Sequence, residues 1–208
     1  MVVPCEYVMR HDLCSRGVII KKHFPRRLKI SLLDESYGHI GVIPVSWQWA
    51  SYASAGAVIC YDLYSKQETY FIKNIELITV PVYKDESAVL YLHHVLEICY
   101  FCLPVHGGQH ECFQLLLYIT DVLEHIANAP LAQKILLAKL LFLIGQYPHD
   151  VERLSISRVL YKSCEQLLKL ELDRNEQKEL ELFIYQCVQS HPYGRLLRTV
   201  NFLSQVGH

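Results

Sequence analysis

Apolar and polar residues follow two different rhythms along this chain. From Arg16 to about Val82, short apolar runs are divided by turn residues. Arg16–Lys22 (RGVIIKK) is one such run, and Arg27–Leu33 (RLKISLL) alternates long polar with apolar residues, as a strand with one buried face does. Gly38–Val45 (GHIGVIPV) follows a turn at Glu35-Ser36-Tyr37-Gly38. Ala57–Tyr64 and Thr69–Val80 flank Ser65-Lys66-Gln67-Glu68, a hairpin-like connection. Five strands in about 65 residues predict a small closed barrel. The OB-fold, a five-stranded Greek-key barrel, is the commonest such solution with a nucleic-acid role. Ser46–Ser54 (SWQWASYAS) stands where a helix usually joins the third and fourth strands, and reads as a short helix or irregular loop.

After Pro81 the period lengthens to 3.6. Asp85–Leu103 places Val89, Leu92, Val95, Leu96, Cys99 and Leu103 on one helical face, and Gly107-Gly108 interrupts it. Glu111–Ala127 is a second helix, closed by Asn128-Ala129-Pro130. Leu131–Ile144 is apolar almost all round, which predicts the centre of a bundle, and Gly145 with Pro148 stops it. Asp150–Leu172 and Asn175–Ser190 read as more charged helices, and Pro192 opens a short last helix ending near Ser204. The predicted class is α+β: a five-stranded OB-fold β-barrel over residues 1–82, then an all-α helical domain over 83–208.

Composition narrows this picture. A chain of 208 residues with 51% hydrophobic and 20% charged residues builds a real core and is far from a disordered composition. The longest stretch without Asp, Glu, Lys or Arg, Ser36–Tyr61, is broken by glycines, a proline and serines, so it reads as turn-rich β structure rather than a membrane span. The opening residues carry no basic segment followed by an apolar one, and so large a core needs no staples. We therefore expect the eight cysteines to be reduced and the protein to be cytoplasmic, with no membrane partner.

Charge is distributed unevenly. The formal net charge is −1, but residues 1–80 hold nine Lys or Arg against seven Asp or Glu, whereas residues 81–208 hold eleven against fourteen. The excess is concentrated in Arg16, Lys21, Lys22, Arg26, Arg27 and Lys29, and no acidic residue lies between Ser15 and Leu33. Phe24 sits among them. A cationic groove that tracks phosphates, together with aromatic rings that stack on bases, is what binds single-stranded nucleic acid. These seven residues are the expected nucleic-acid contacts, on the first two strands of the barrel. Trp47, Trp49 and Tyr52 offer further stacking, although aromatics more often fill a core.

Cys99 and Cys102, followed by His106, His110 and Cys112, have the donor chemistry for zinc. Cys99 and Cys102 nonetheless fall within an apolar helix, where buried thiols are ordinary, and there is no second Cys-x2-Cys. We expect no metal or other cofactor. The chain lacks a Gly-x-Ser-x-Gly elbow, a phosphate-binding Gly-x4-Gly-Lys-Ser/Thr loop, a dinucleotide glycine fingerprint and His-Glu-x-x-His, so we expect no enzyme and no small-molecule substrate. In the helical domain, Lys134, Lys139, Arg195 and Arg198 are candidates for a basic rim that meets an acidic partner tail.

Three stretches carry a family resemblance. Gly17-Val-Ile-Ile-Lys-Lys leads through a basic turn to Ile30-Ser-Leu-Leu-Asp-Glu-Ser-Tyr-Gly38-His-Ile. Tyr91-Leu-His-His-Val-Leu-Glu-Ile, Glu111-Cys-Phe-Gln-Leu-Leu-Leu and Lys139-Leu-Leu-Phe-Leu-Ile-Gly145-Gln-Tyr-Pro148 follow in order, and His191-Pro-Tyr-Gly-Arg-Leu-Leu-Arg-Thr-Val-Asn-Phe-Leu closes the chain. Together they resemble the RecO family of bacterial recombination-repair mediators. Many members carry a four-cysteine zinc module after the Gly-x-x-Pro; here Asp150–Leu172 holds Cys164 alone, so that module is absent. The resemblance implies an OB-fold with a helical domain, DNA binding, strand annealing, and RecA loading in partnership with RecR and single-strand-binding protein. The competing expectation is a barrel-plus-helix adaptor that binds only proteins.

Overall fold

The computed structural model describes residues 14–23, 29–46, 54–145, 147, 155–194 and 197. Five strands, β1 (Ser15–Lys22), β2 (Ile30–Asp34), β3 (Gly38–Pro44), β4 (Val58–Lys66) and β5 (Thr69–Thr79), close into a barrel of order β1-β2-β3-β5-β4. All neighbours are antiparallel except β3 and β5, which run parallel. Among the described residues six helices follow: α1 (Glu86–Cys102), α2 (His110–Ile126), α3 (Pro130–Leu143), α4 (Ser157–Leu160), α5 (Cys164–Leu167) and α6 (Arg174–Ser190). The expected barrel followed by helices is what the chain forms.

Strand alternation builds the barrel interior from Ile19, Ile30, Leu32, Ile40, Val42, Ile59, Tyr61 and Ile72. The opposite faces of β1, β2 and β4 are buried as well. Val18, Ile20, Leu33 and Val58 join one continuous apolar cluster with α1, α2 and α3. That double burial explains why Gly17–Ile20 and Ile30–Leu33 read as nearly continuous apolar runs. Asp34 is fully buried at the end of β2, where it accepts the Tyr61 hydroxyl and the backbone N–H groups of Ser36 (2.8 Å) and Tyr37 (2.7 Å). Burial, and then the Asp34 charge, push the Tyr61 phenol well above its usual range.

Local chemistry sets the helix ends. Asp85 caps α1 by accepting from the Ala88 N–H at 2.9 Å, and Pro104 follows its last turn. Pro130 occupies the first turn of α3, and Asp173 with Glu176 forms a capping box on α6. The connection between α1 and α2 then runs along β3: Val105 bridges His39, and the His106 N–H donates to the His39 carbonyl at 3.2 Å. Gly38, at φ +70°, is required there, because a Cβ would meet the Gly107 carbonyl oxygen at 1.7 Å.

Three expectations need correction. The single helix expected over Asp150–Leu172 is, over its described part, two four-residue helices, α4 and α5. The Leu160 carbonyl, at the end of α4, accepts from Lys139 Nζ on α3. The cysteines are not all free: Cys14 and Cys60 form a disulfide with Cα atoms 5.9 Å apart. The β1–β4 register sets Arg16 opposite Cys60, which brings Cys14, two residues earlier, within reach. The third is the expected lack of a compensating acid near the basic segment: Glu35 offsets the Arg16 charge across the β1–β2 pair. The turn at Ser46–Ser54, apart from its ends, and the closing helix from Pro192 lie largely outside the described residues. Among the described residues, no helix is long and apolar enough to cross a membrane.

Candidate nucleic-acid interface

Antiparallel pairing of β1 with β2 decides which cations meet. Lys21 stands opposite Ser31 and Lys22 opposite Ile30, and the His23 N–H donates to the Lys29 carbonyl at 3.0 Å. Lys21, Lys22 and Lys29 are therefore gathered at one end of the barrel, on either side of the connection that carries Phe24, Arg26 and Arg27 in the sequence. Those three residues, like Trp47, Trp49 and Tyr52, lie outside the described residues.

Each described cation has its own surroundings. Lys29 is exposed and runs across β3 above Gly41, where a Cβ would meet its Cε at 2.3 Å. Lys21 is exposed with Nζ 4.0 Å from the Tyr100 ring centroid and 5.7 Å from that of Phe101, a cation–π arrangement at the end of α1. Lys22 is half-buried.

Arg16 departs from the sequence reading. Its guanidinium donates to both carboxylate oxygens of Glu35, at 2.9 and 2.8 Å, and His110 Nδ1 lies 3.9 Å from the same carboxylate. The pair holds the Arg16 pKa above its usual value. The absence of acids between Ser15 and Leu33 is thus offset by one just beyond it, because β1 and β2 run side by side. Arg16 is tied by this pair to the barrel–helix junction.

The helical unit extends the aromatic surface. Tyr100 and Phe101 meet edge to face at 4.9 Å, Phe101 lies 5.9 Å from Tyr193, and the rings of His23 and His39 approach Tyr100 at 5.9 and 6.0 Å. Sequence reasoning misses these rings, since nothing in a helical pattern ties the end of α1 to Lys21. Burial pulls the His39 pKa down, and the charges of Lys29 and His106 add to this against a bond from Nδ1 to the Leu103 carbonyl.

The remaining candidates separate. Cys99, Cys102 and Cys112 are buried; burial raises Cys99 well above the usual thiol range and pushes Cys102 and Cys112 up to about 12. His106 and His110 are exposed, His106 beside Tyr70 and His110 toward Glu35. Among the described residues, no group of three or more His, Cys, Asp or Glu side chains is placed to hold a metal ion. Lys134 is paired with Glu181 at 2.7 Å, and Lys139 donates to the Leu160 carbonyl. Arg195 and Arg198 lie outside the described residues. No family model matches this chain, and no curated protein matches it.

Proposed function

We propose that this chain is a non-enzymatic DNA-repair and recombination mediator that binds single-stranded DNA through the β1–β2 edge of an OB-fold barrel. One observation carries the reading: the strand register gathers Lys21, Lys22 and Lys29 at one end of the barrel, with Lys21 over the Tyr100 and Phe101 rings. Cations that track phosphates next to flat rings are the chemistry single strands require. The order β1-β2-β3-β5-β4, with its parallel β3–β5 contact, supports the Greek-key reading of the barrel. Annealing needs no catalytic acid or base. Neutralising phosphate charge lets two strands approach while their bases stay able to pair. The resemblance to the RecO family extends the proposal to RecA loading in the bacterial cytoplasm, with RecR and single-strand-binding protein as partners.

The test is binding to single- and double-stranded oligonucleotides across a salt series, with annealing of complementary strands followed in parallel. The expected result is tight, salt-sensitive binding to single strands and faster annealing. Affinity that is absent at low salt would sink the proposal. A protein-only adaptor is favoured by a separate observation: Leu77, Ile78, Val80 and Val82 are exposed to 47%, 52%, 42% and 58%. Retention of a partner protein by a chain that binds no DNA would select it.

A further inference from the structure

The β4–β5 hairpin turns through Gln67 and Glu68 at φ +47° and +61°, a two-residue connection without glycine. Its register sets three pairs in a row, Asp62 opposite Lys73, Tyr64 opposite Phe71 and Lys66 opposite Thr69. Leu63 and Ile72 pack against the barrel interior, so strand alternation turns these three pairs outward. The Tyr64 and Phe71 rings are half-buried and stacked, with centroids 5.4 Å apart and planes 18° from parallel. Lys73 Nζ lies 6.0 Å from the Tyr64 ring centroid on one side of the pair, and Lys66 stands on the other. Asp62, the acid in this row, accepts from Asn74 Nδ2 at 2.6 Å.

The face continues toward the cationic edge. Phe71 pairs with Ile43 on β3, and Gly41, on the same face two residues earlier, is where Lys29 crosses. A ring pair between two lysines, joined along β3 to a third, matches the repeat of a single strand, in which phosphates flank an exposed base. We infer that the outer face of β3, β5 and β4 is a second contact for single-stranded nucleic acid. An unpaired base lies on the Tyr64–Phe71 pair, and Lys66 and Lys73 take the adjacent phosphates. This rests on the proposed function and names where, beyond the β1–β2 edge, the strand is held. A cross-strand aromatic pair also steadies a hairpin, so stability alone cannot decide its role.

The deciding experiment is photo-crosslinking of the full chain to an oligodeoxynucleotide carrying 5-iodouracil, with the adducts mapped by mass spectrometry. Adducts on Tyr64 or Phe71 are expected. In parallel, Tyr64→Leu with Phe71→Leu should weaken binding to an ordinary strand roughly tenfold or more, as loss of one stacked base does. Binding to an abasic strand and the dependence on salt should stay unchanged. Adducts confined to other residues overturn the inference, and the crosslink needs no variant to fold. Salt-sensitive binding without these adducts removes the platform and leaves the proposed function standing. Absence of any salt-sensitive binding removes both.

Discussion

The lysines of the barrel edge and those of the helical unit are indistinguishable by type, yet the fold treats them oppositely. Lys29 lies exposed along a glycine and Lys21 on two rings. Lys134 is turned onto Glu181 with only 15% of its side chain exposed, and Lys139 onto a backbone carbonyl. Formal charge becomes available to a partner only where the chain does not consume it. A phosphate approaching Lys29 displaces water, whereas one approaching Lys134 must displace a carboxylate.

The largest effect expected from this contrast is on DNA affinity. Reversing Lys21, Lys22 and Lys29 to Glu should lower single-strand affinity by at least ~100-fold at low salt and reduce the salt slope by about 2, at ~0.7 per phosphate contact. Lys134→Ala should leave that slope untouched. Equal slopes for both variants, measured by fluorescence anisotropy, would erase the distinction between the two regions.

Stability should show the opposite pattern. Lys139→Ala removes the cation that caps the Leu160 carbonyl and should cost about 1–3 kcal/mol, lowering the melting temperature by several degrees with DNA affinity intact. Lys29→Ala should leave the melting temperature nearly unchanged. A Lys139→Ala protein that melts with the wild type would show that its carbonyl contact contributes little.

The barrel edge should also respond to pH. Burial depresses His39, and His94 and His191 shift the same way for the same first cause. The unfolded chain then takes up protons before the folded one as pH falls below the ordinary value of 6.5, so stability is full above that pH and declines beneath it. Chemical denaturation at pH 7.5 and 5.5 should show this loss, and His39→Gln should show less of it. An equal loss in the variant would clear His39 of any part.

The smallest effect tests the cation withdrawn from the cluster. Glu35→Gln releases Arg16 and should raise single-strand affinity by about twofold to fivefold at low salt, as one more phosphate contact becomes available. The melting temperature should change little, since an exposed ion pair is worth only about 0–1 kcal/mol. Unchanged or weaker binding would show that Arg16 lies away from the strand's path.

Several of these features are legible in the amino-acid sequence. The change of period near Pro81 separates strands from helices because side-chain burial imposes periods of 2 and 3.6 directly on the residues. Asp85, Pro130 and Asp173 mark helix starts for equally local reasons. The Tyr64–Phe71 pair is also within reach, since residues equidistant from a two-residue turn face each other. What hides it is the choice between a four-residue connection and a two-residue one.

By itself, then, the sequence determined the order of elements, the place where barrel gives way to helices, and the concentration of cations between Arg16 and Lys29, all consequences of neighbours along the chain. Only the tertiary structure decided which charges remain available and which rings meet them. Glu35 reaches Arg16 because β2 folds back beside β1, and Tyr100 reaches Lys21 because α1 packs on the barrel wall. Leu160 reaches Lys139 because α4 docks on α3. Coulomb and cation–π interactions depend on distance in space, and strand register and helix docking set that distance through contacts between residues far apart in sequence.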